Sequence, residues 1–135
     1  MPELSSRFAT RSFLDGSAAV KALKGLAENL LARHPEVAEV ILFGSLARGD
    51  YAPGSDADLL VVLDSDERRF IDRIPDYLRE FLDAPVPPEV FPYTRQELER
   101  MRATGNQFVE RALAEGIVLA ERRSRRDLFA ECRSE

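Results

Sequence analysis

At 135 residues and 15.2 kDa the chain has the length of one domain, and a second independent core is not expected. A hydrophobic share of 44% beside a broad mixture of other residues marks a folded globular protein, neither disordered nor fibrous. The formal net charge of −5 repels polyanions and argues against an extended nucleic-acid interface.

No apolar run approaches the roughly 20 residues that cross a bilayer, and the opening MPELSSRFATRS lacks the apolar stretch of a secretion signal. The expectation is a cytoplasmic protein with no membrane contact. Cys132 is the single cysteine and cannot close an internal disulfide. With one histidine there is no Cys/His cluster of zinc spacing either, so any metal is expected to be held by oxygen.

In chain order, Val20, Leu23, Leu26, Ala27, Leu30 and Leu31 recur at helical spacing and mark one apolar face of a helix over 17–34, which Pro35 stops. His34 reads as a helix-end residue facing the helix dipole or solvent rather than as a catalytic base. Val37–Phe43 reads as a buried strand ending at Gly44, and Ala57–Leu63 as a second, with a connection too elaborate for a two-residue hairpin. An amphipathic helix is expected over about 66–83, with Phe70, Ile71, Ile74, Tyr77, Leu78, Phe81 and Leu82 on one side and Pro75 as a kink. A third strand follows at Val86–Tyr93, its prolines suiting an edge. Thr94 with Glu97 three residues on forms a capping box for the next helix. A last helix near Asn106–Ala114 ends at Gly116, and Ile117–Ala120 is a short strand. The sum is an α/β (α+β) fold with a small mixed sheet of about four strands flanked by helices. In the tail, Arg122, Arg123, Arg125, Arg126 and Arg133 are largely offset by Glu121, Asp127, Glu131 and Glu135, as on a solvated helix face.

The chemistry concentrates in Gly44–Leu60, GSLARGDYAPGSDADLL. Gly44 ends a strand and lets the backbone turn sharply. Ser45 opens a short helical turn, so a hydroxyl and unpaired N–H groups face outward together, an arrangement that binds phosphate. Arg48 follows closely enough to face the same pocket. No Lys-Ser or Lys-Thr follows a second glycine, so this is not a P-loop. After ten intervening residues Ser45 is followed by Asp56 and Asp58, which strand alternation puts on one face with Ala57 on the other. Two carboxylates that close repel unless a cation lies between them, and hard oxygen ligands select Mg²⁺ or Mn²⁺. A Gly-Ser turn alone is common, and Asp-x-Asp alone is often a loop or helix cap. Their conjunction at this spacing, each opening or closing an apolar strand, gives every part a role in one phosphoryl-transfer site.

That conjunction resembles the minimal nucleotidyltransferases of the DNA polymerase β-like superfamily, whose signature is Gly-Ser, ten residues, Asp-x-Asp. Gly44, Ser45, Asp56 and Asp58 match it, and Ala47-Arg48-Gly49 is in the family's style. The resemblance implies a nucleotidyltransferase domain over 17–121, an N-terminal extension at 1–16 and a charged tail at 122–135. It also implies a third acid on a neighbouring strand, within a stretch like Asp-Val-x-Pro-Tyr. Here Glu89-Val90-Phe91-Pro92-Tyr93 fits, which makes Glu89 the third acid, as metal ligand or as base. From the residues alone, Glu89 reads equally as an exposed edge-strand glutamate.

The activity implied is transfer of a nucleoside monophosphate, AMP first among them, from a triphosphate to an acceptor hydroxyl. Asp56, Asp58 and Glu89 would hold two Mg²⁺ ions, while Gly44, Ser45 and Arg48 would hold the nucleotide, ATP in the first instance. Family members of this size accompany HEPN-family toxins as antitoxins and adenylylate a tyrosine on them, so a HEPN partner is the expected setting, with a homo-oligomer also in view. Two other readings stand beside it: a non-catalytic module that masks a partner, and a small-molecule nucleotidyltransferase of the aminoglycoside kind, whose usual extra helical domain these 135 residues leave no room for.

Overall fold

The computed structural model describes residues 2–49 and 56–122, with the backbone alone described over 2–16. The elements run α1 (Pro2–Arg33), β1 (Val37–Phe43), α2 (Ser45–Arg48), β2 (Ala57–Leu63), α3 (Phe70–Leu78), a 3₁₀ turn (Arg79–Phe81), β3 (Pro88–Thr94), α4 (Arg95–Ala103), α5 (Gln107–Glu115) and β4 (Ile117–Glu121). The four strands form one mixed sheet in the order β3-β2-β1-β4. β1 is antiparallel to both β2 and β4, while β2 and β3 are parallel. A parallel pair needs a crossover, and α3 with its 3₁₀ turn supplies it.

β2 is inside the sheet and is buried along its whole length except at Asp58, which explains its almost unbroken apolar sequence. Alternation divides the strands between two cores. On one side Val40, Leu42, Leu59, Val61 and Leu63 pack against Leu23, Ala27 and Leu30 of α1 and against Tyr77 and Phe81. On the other, Ile41, Phe43, Leu60 and Val62 pack against Leu98 of α4 and against Val109 and Ala112 of α5. Asp58 shares its face with Leu60 and Val62, so it projects on the α4/α5 side.

The expected elements are present, with differences at their ends. α1 spans Pro2–Arg33 and so starts earlier than the helix expected over 17–34. The helix expected over 66–83 shortens to Phe70–Leu78 before tightening into the 3₁₀ turn. Pro75 sits within it, where its missing N–H removes one bond to the preceding turn. Ile71 and Leu82, expected on the apolar side, are 65% and 73% exposed. Tyr77 and Phe81 are in the core as expected, with Ile74 and Leu78 packed against it, and the residue the hydrophobic period missed is Arg73, which is buried four positions before Tyr77. β3 begins at Pro88, two residues later than expected, and does take an edge position. Gly116 follows α5 in an extended conformation, not a left-handed one. Glycine is required there because a Cβ would collide with the Ala112 carbonyl and the Ile41 side chain. His34 follows α1 as expected, but its ring lies between the Glu36 and Glu80 carboxylates at 3.3 and 3.2 Å and packs on Tyr77.

Arg122, expected on a solvated helix face, is exposed but lies outside any helix: its N–H pairs with the Ala38 carbonyl at 2.8 Å, and its guanidinium donates to the carbonyls of Leu31, His34 and Val37. It thereby satisfies carbonyls at the end of α1 and meets the negative end of the helix dipole. The rest of the tail, residues 123–135, lies outside the described residues.

Arg73 joins α3 to the β3–α4 corner. Only 3% exposed, it donates to the carbonyls of Asp66, Arg68 and Pro92 and makes a two-pronged bond to Glu97 at 2.7 and 3.0 Å. Glu97 also completes the capping box expected from sequence: Thr94 Oγ1 accepts from Glu97 N–H at 3.1 Å, and Glu97 Oε1 accepts from Thr94 N–H at 2.9 Å. Among the described residues no buried side-chain polar atom is left without a partner, and no helix is long and apolar enough to cross a membrane.

Arg73→Ala strands the Glu97 carboxylate and three carbonyls. It is expected to cost about 3 kcal/mol, the lower end for a broken buried pair because Glu97 is 33% exposed, read as a shift of the urea midpoint. The Arg73 bond holds Glu97 below its ordinary 4.5, so this stabilisation is whole above that value and is lost as pH falls through the lower folded value. Glu97→Gln is expected to remove that component of the acid-induced loss of stability.

Candidate active site

The sequence-selected residues meet at one end of the sheet, where β1 finishes and β2 and β3 begin. Phe43 and Asp58 are partners in the β1–β2 ladder, so the residue after Phe43 must turn away directly beside the Asp58 side chain. That residue is Gly44, with φ +83°, in the half of backbone space that side chains rarely enter. A Cβ built on it would overlap Asp58 Oδ2 and stand 3.3 Å from Asp58 Cγ. Glycine is therefore needed twice here, for the turn and for the carboxylate that fills the space of its missing side chain.

From Gly44 the chain enters α2 at Ser45, and the Arg48 N–H closes the turn on the Gly44 carbonyl at 3.1 Å. Leu46 is buried and anchors the turn, while Ser45 remains partly accessible. Gly49 then ends the turn in the left-handed region, with φ +82°.

On the other side of Asp58, the parallel register sets Asp58 directly beside Glu89. Adjacent strands lie about 4.8 Å apart. Both side chains project on the face shared by Leu60 with Phe91 and Val62 with Tyr93. Asp56 stands one alternation before Asp58 and is exposed. Burial pushes the Asp58 carboxyl above its ordinary value, the charges of Glu89 and Asp56 push it further, and Arg48 opposes them. Three carboxylates thus share one field, and protonation is resisted less at Asp58 than in water. All are hard oxygen donors, and their mutual repulsion is what a divalent cation relieves, so the donor chemistry fits Mg²⁺ or Mn²⁺. Among the described residues no group of three or more His, Cys, Asp or Glu side chains stands in a metal-holding arrangement.

Above Asp58 opens a cleft of about 390 Å³. The sheet end contributes Phe43, Gly44 and Asp58, the turn contributes Arg48, and α5 contributes Gln107, Phe108 and Arg111. Of the residues singled out from sequence, Gly44, Arg48 and Asp58 line this space and Ser45, Asp56 and Glu89 do not. The three α5 residues escaped the sequence reading, since nothing local separates Gln107 and Arg111 from any exposed helix face. Phe108 is the contact that docks them: its ring lies 5.1 Å from that of Phe43, edge-on, and 5.2 Å from that of Phe91. Arg48 reaches across to α5, where Nη1 meets Glu115 Oε2 at 3.2 Å.

A sequence profile of the nucleotidyltransferase domain family matches residues 23–119. Among solved structures, one assigned as a nucleotidyltransferase from Sulfolobus solfataricus is similar with 25% identity and a TM-score of 0.58, over 82% of this chain and 87% of that one. A toxin–antitoxin crystallised with AMP-PNP shares the fold with 21% identity and a TM-score of 0.53, over 81% of this chain and 82% of that one. No curated protein matches.

Gly44→Ala is expected to destabilise the fold by about 1–3 kcal/mol, the range for a side chain forced into left-handed backbone, with the Asp58 carboxylate displaced as well. Gly49→Ala shares the backbone strain but, among the described residues, meets no atom within 4 Å. In parallel denaturant titrations Gly44→Ala should therefore be the less stable of the two.

Proposed function

The chain belongs to the nucleotidyltransferase domain family, and on that premise we propose that it transfers AMP from ATP to an acceptor hydroxyl. The observation that carries this reading is the seat of Asp58. Its carboxylate lies in the hollow of Gly44, beside Glu89, in a cleft that Arg48 and Arg111 also line.

In the proposed reaction the acceptor oxygen attacks the α-phosphorus in line. The bond from that phosphorus to the oxygen bridging to the β-phosphate breaks, and pyrophosphate departs with the electron pair. The hydroxyl proton passes to the Glu89 carboxylate, the acid placed at the sheet edge and open to an incoming acceptor. Asp56, Asp58 and Glu89 would hold two Mg²⁺ ions, which when bound neutralise phosphate charge and make the acceptor hydroxyl easier to deprotonate. Ser45, through its hydroxyl and the first N–H groups of the turn, holds phosphate oxygens. Arg48 adds positive charge on the same side, steadied by Glu115.

For the acceptor we propose a tyrosine of a HEPN-family toxin partner, with this chain as the antitoxin. The fold shared with a toxin–antitoxin crystallised with AMP-PNP supports that setting and ATP as donor.

Asp58→Ala is expected to lower transfer from α-labelled ATP by about 100-fold or more, the equivalent of several kcal/mol of lost charge stabilisation. Undiminished transfer would sink the assignment of the acids. Mixing the chain with ATP, Mg²⁺ and the product of the adjacent gene, then weighing the proteins, tests the acceptor: the partner should gain the mass of AMP. A tight complex with no added mass would favour masking instead.

A further inference from the structure

We infer that Arg111 of α5 is a second polyphosphate-binding cation, gripping the β- and γ-phosphates from the wall opposite the Gly44 turn. This rests on the nucleotidyl-transfer reading above and adds to it a residue outside the signature motif.

The first argument is placement. α5 is held in one rotation by Val109 and Ala112, both buried against the sheet, by Phe108 in the aromatic cluster, and by Asn106, whose side chain caps the Val109 N–H at 3.2 Å. With that face fixed, Gln107, Arg111 and Glu115 recur every four residues along another, and Gln107 and Arg111 line the cleft. Arg111 and Arg48 therefore approach the same space from different elements.

Charge supplies the second argument. The reacting end of the cleft is acidic, with Asp58 in the fields of Glu89 and Asp56. A bound triphosphate whose α-phosphorus sits there leaves its β- and γ-phosphates for the remaining lining, where the charged groups are Arg48 and Arg111. Arg48 already shares its charge with Glu115. Glu115 lies one turn along α5 from Arg111, yet its carboxylate is directed to Arg48, and among the described residues Arg111 has no ion-pair partner. A planar guanidinium with its donors uncommitted matches two oxygens of a terminal phosphate. Charge also builds on the pyrophosphate as it leaves, so the same contact strengthens along the reaction.

The test is binding of each of the four ribonucleoside triphosphates with Mg²⁺ to the full chain, with the tightest compared with its own monophosphate. Arg111→Ala is expected to weaken triphosphate binding about 10-fold, as loss of a charged hydrogen bond does, and to leave the monophosphate affinity and the urea midpoint unchanged. Arg111→Lys should recover part of the loss. If Arg111→Ala lowers the midpoint, Arg111→Gln, which keeps most of the stem, makes the same comparison. Unchanged triphosphate binding, or equal losses for triphosphate and monophosphate, overturns the role of Arg111 and leaves the transfer reading standing. A wild-type chain that binds none of the triphosphates overturns both.

Discussion

The site depends on a missing atom. Where β1 ends, the backbone must leave the sheet beside the last paired residue of β2, and that residue carries a carboxylate. Any side chain at position 44 would contest the volume that Asp58 fills. Because the residue is glycine, the turn and the acid come into contact, and the start of α2 stands next to Asp58. The same proximity puts Asp58 partly out of water and into the fields of Asp56 and Glu89, which raises its pKa. Crowded negative charge is a cost the fold accepts at this end of the sheet, and in milder form where Glu39 faces Glu121 across β1 and β4.

Two arginines tie the fold together away from this site. Arg73 is buried with its donors directed to backbone carbonyls and to Glu97, so the start of α3, the end of β3 and the first turn of α4 are tied together. This corner fixes the strand that presents Glu89 next to Asp58. At the far end of the sheet Arg122 does comparable work, collecting carbonyls from α1 and β1 just after β4. Both arginines act through the geometry of their hydrogen bonds, which a lysine could not reproduce. Each is the kind of contact that composition hides, because a formal charge count does not show which carbonyls an arginine meets.

The aromatic cluster connects core to cleft. Phe43 is the last residue of β1 and touches both Phe91 of β3 and Phe108 of α5. These rings form the apolar packing beneath a polar opening, so the position of α5 is set by the strands that carry the acids. A helix docked in this way presents Gln107 and Arg111 at a fixed place opposite Gly44.

The strands on either side of the Gly-Ser turn were legible because their pattern is local and follows from the period of the chain, although β2 begins at Ala57 and leaves Asp56 just before it. The capping box at Thr94 and Glu97 and the edge position of β3 were legible for the same reason, since each depends on a few consecutive residues. Only tertiary structure decided that β2 and β3 run parallel in the register that sets Asp58 beside Glu89, because register follows from how two cores close around the sheet. It alone decided that Arg73 is inside and Ile71 and Leu82 outside, since a buried arginine is stable only where distant carbonyls and a carboxylate meet it. The α5 wall belongs to that second class. Whether an exposed helix face looks onto a cleft or onto open solvent depends on what stands across from it, and residues 44 and 58 are far from α5 in the chain.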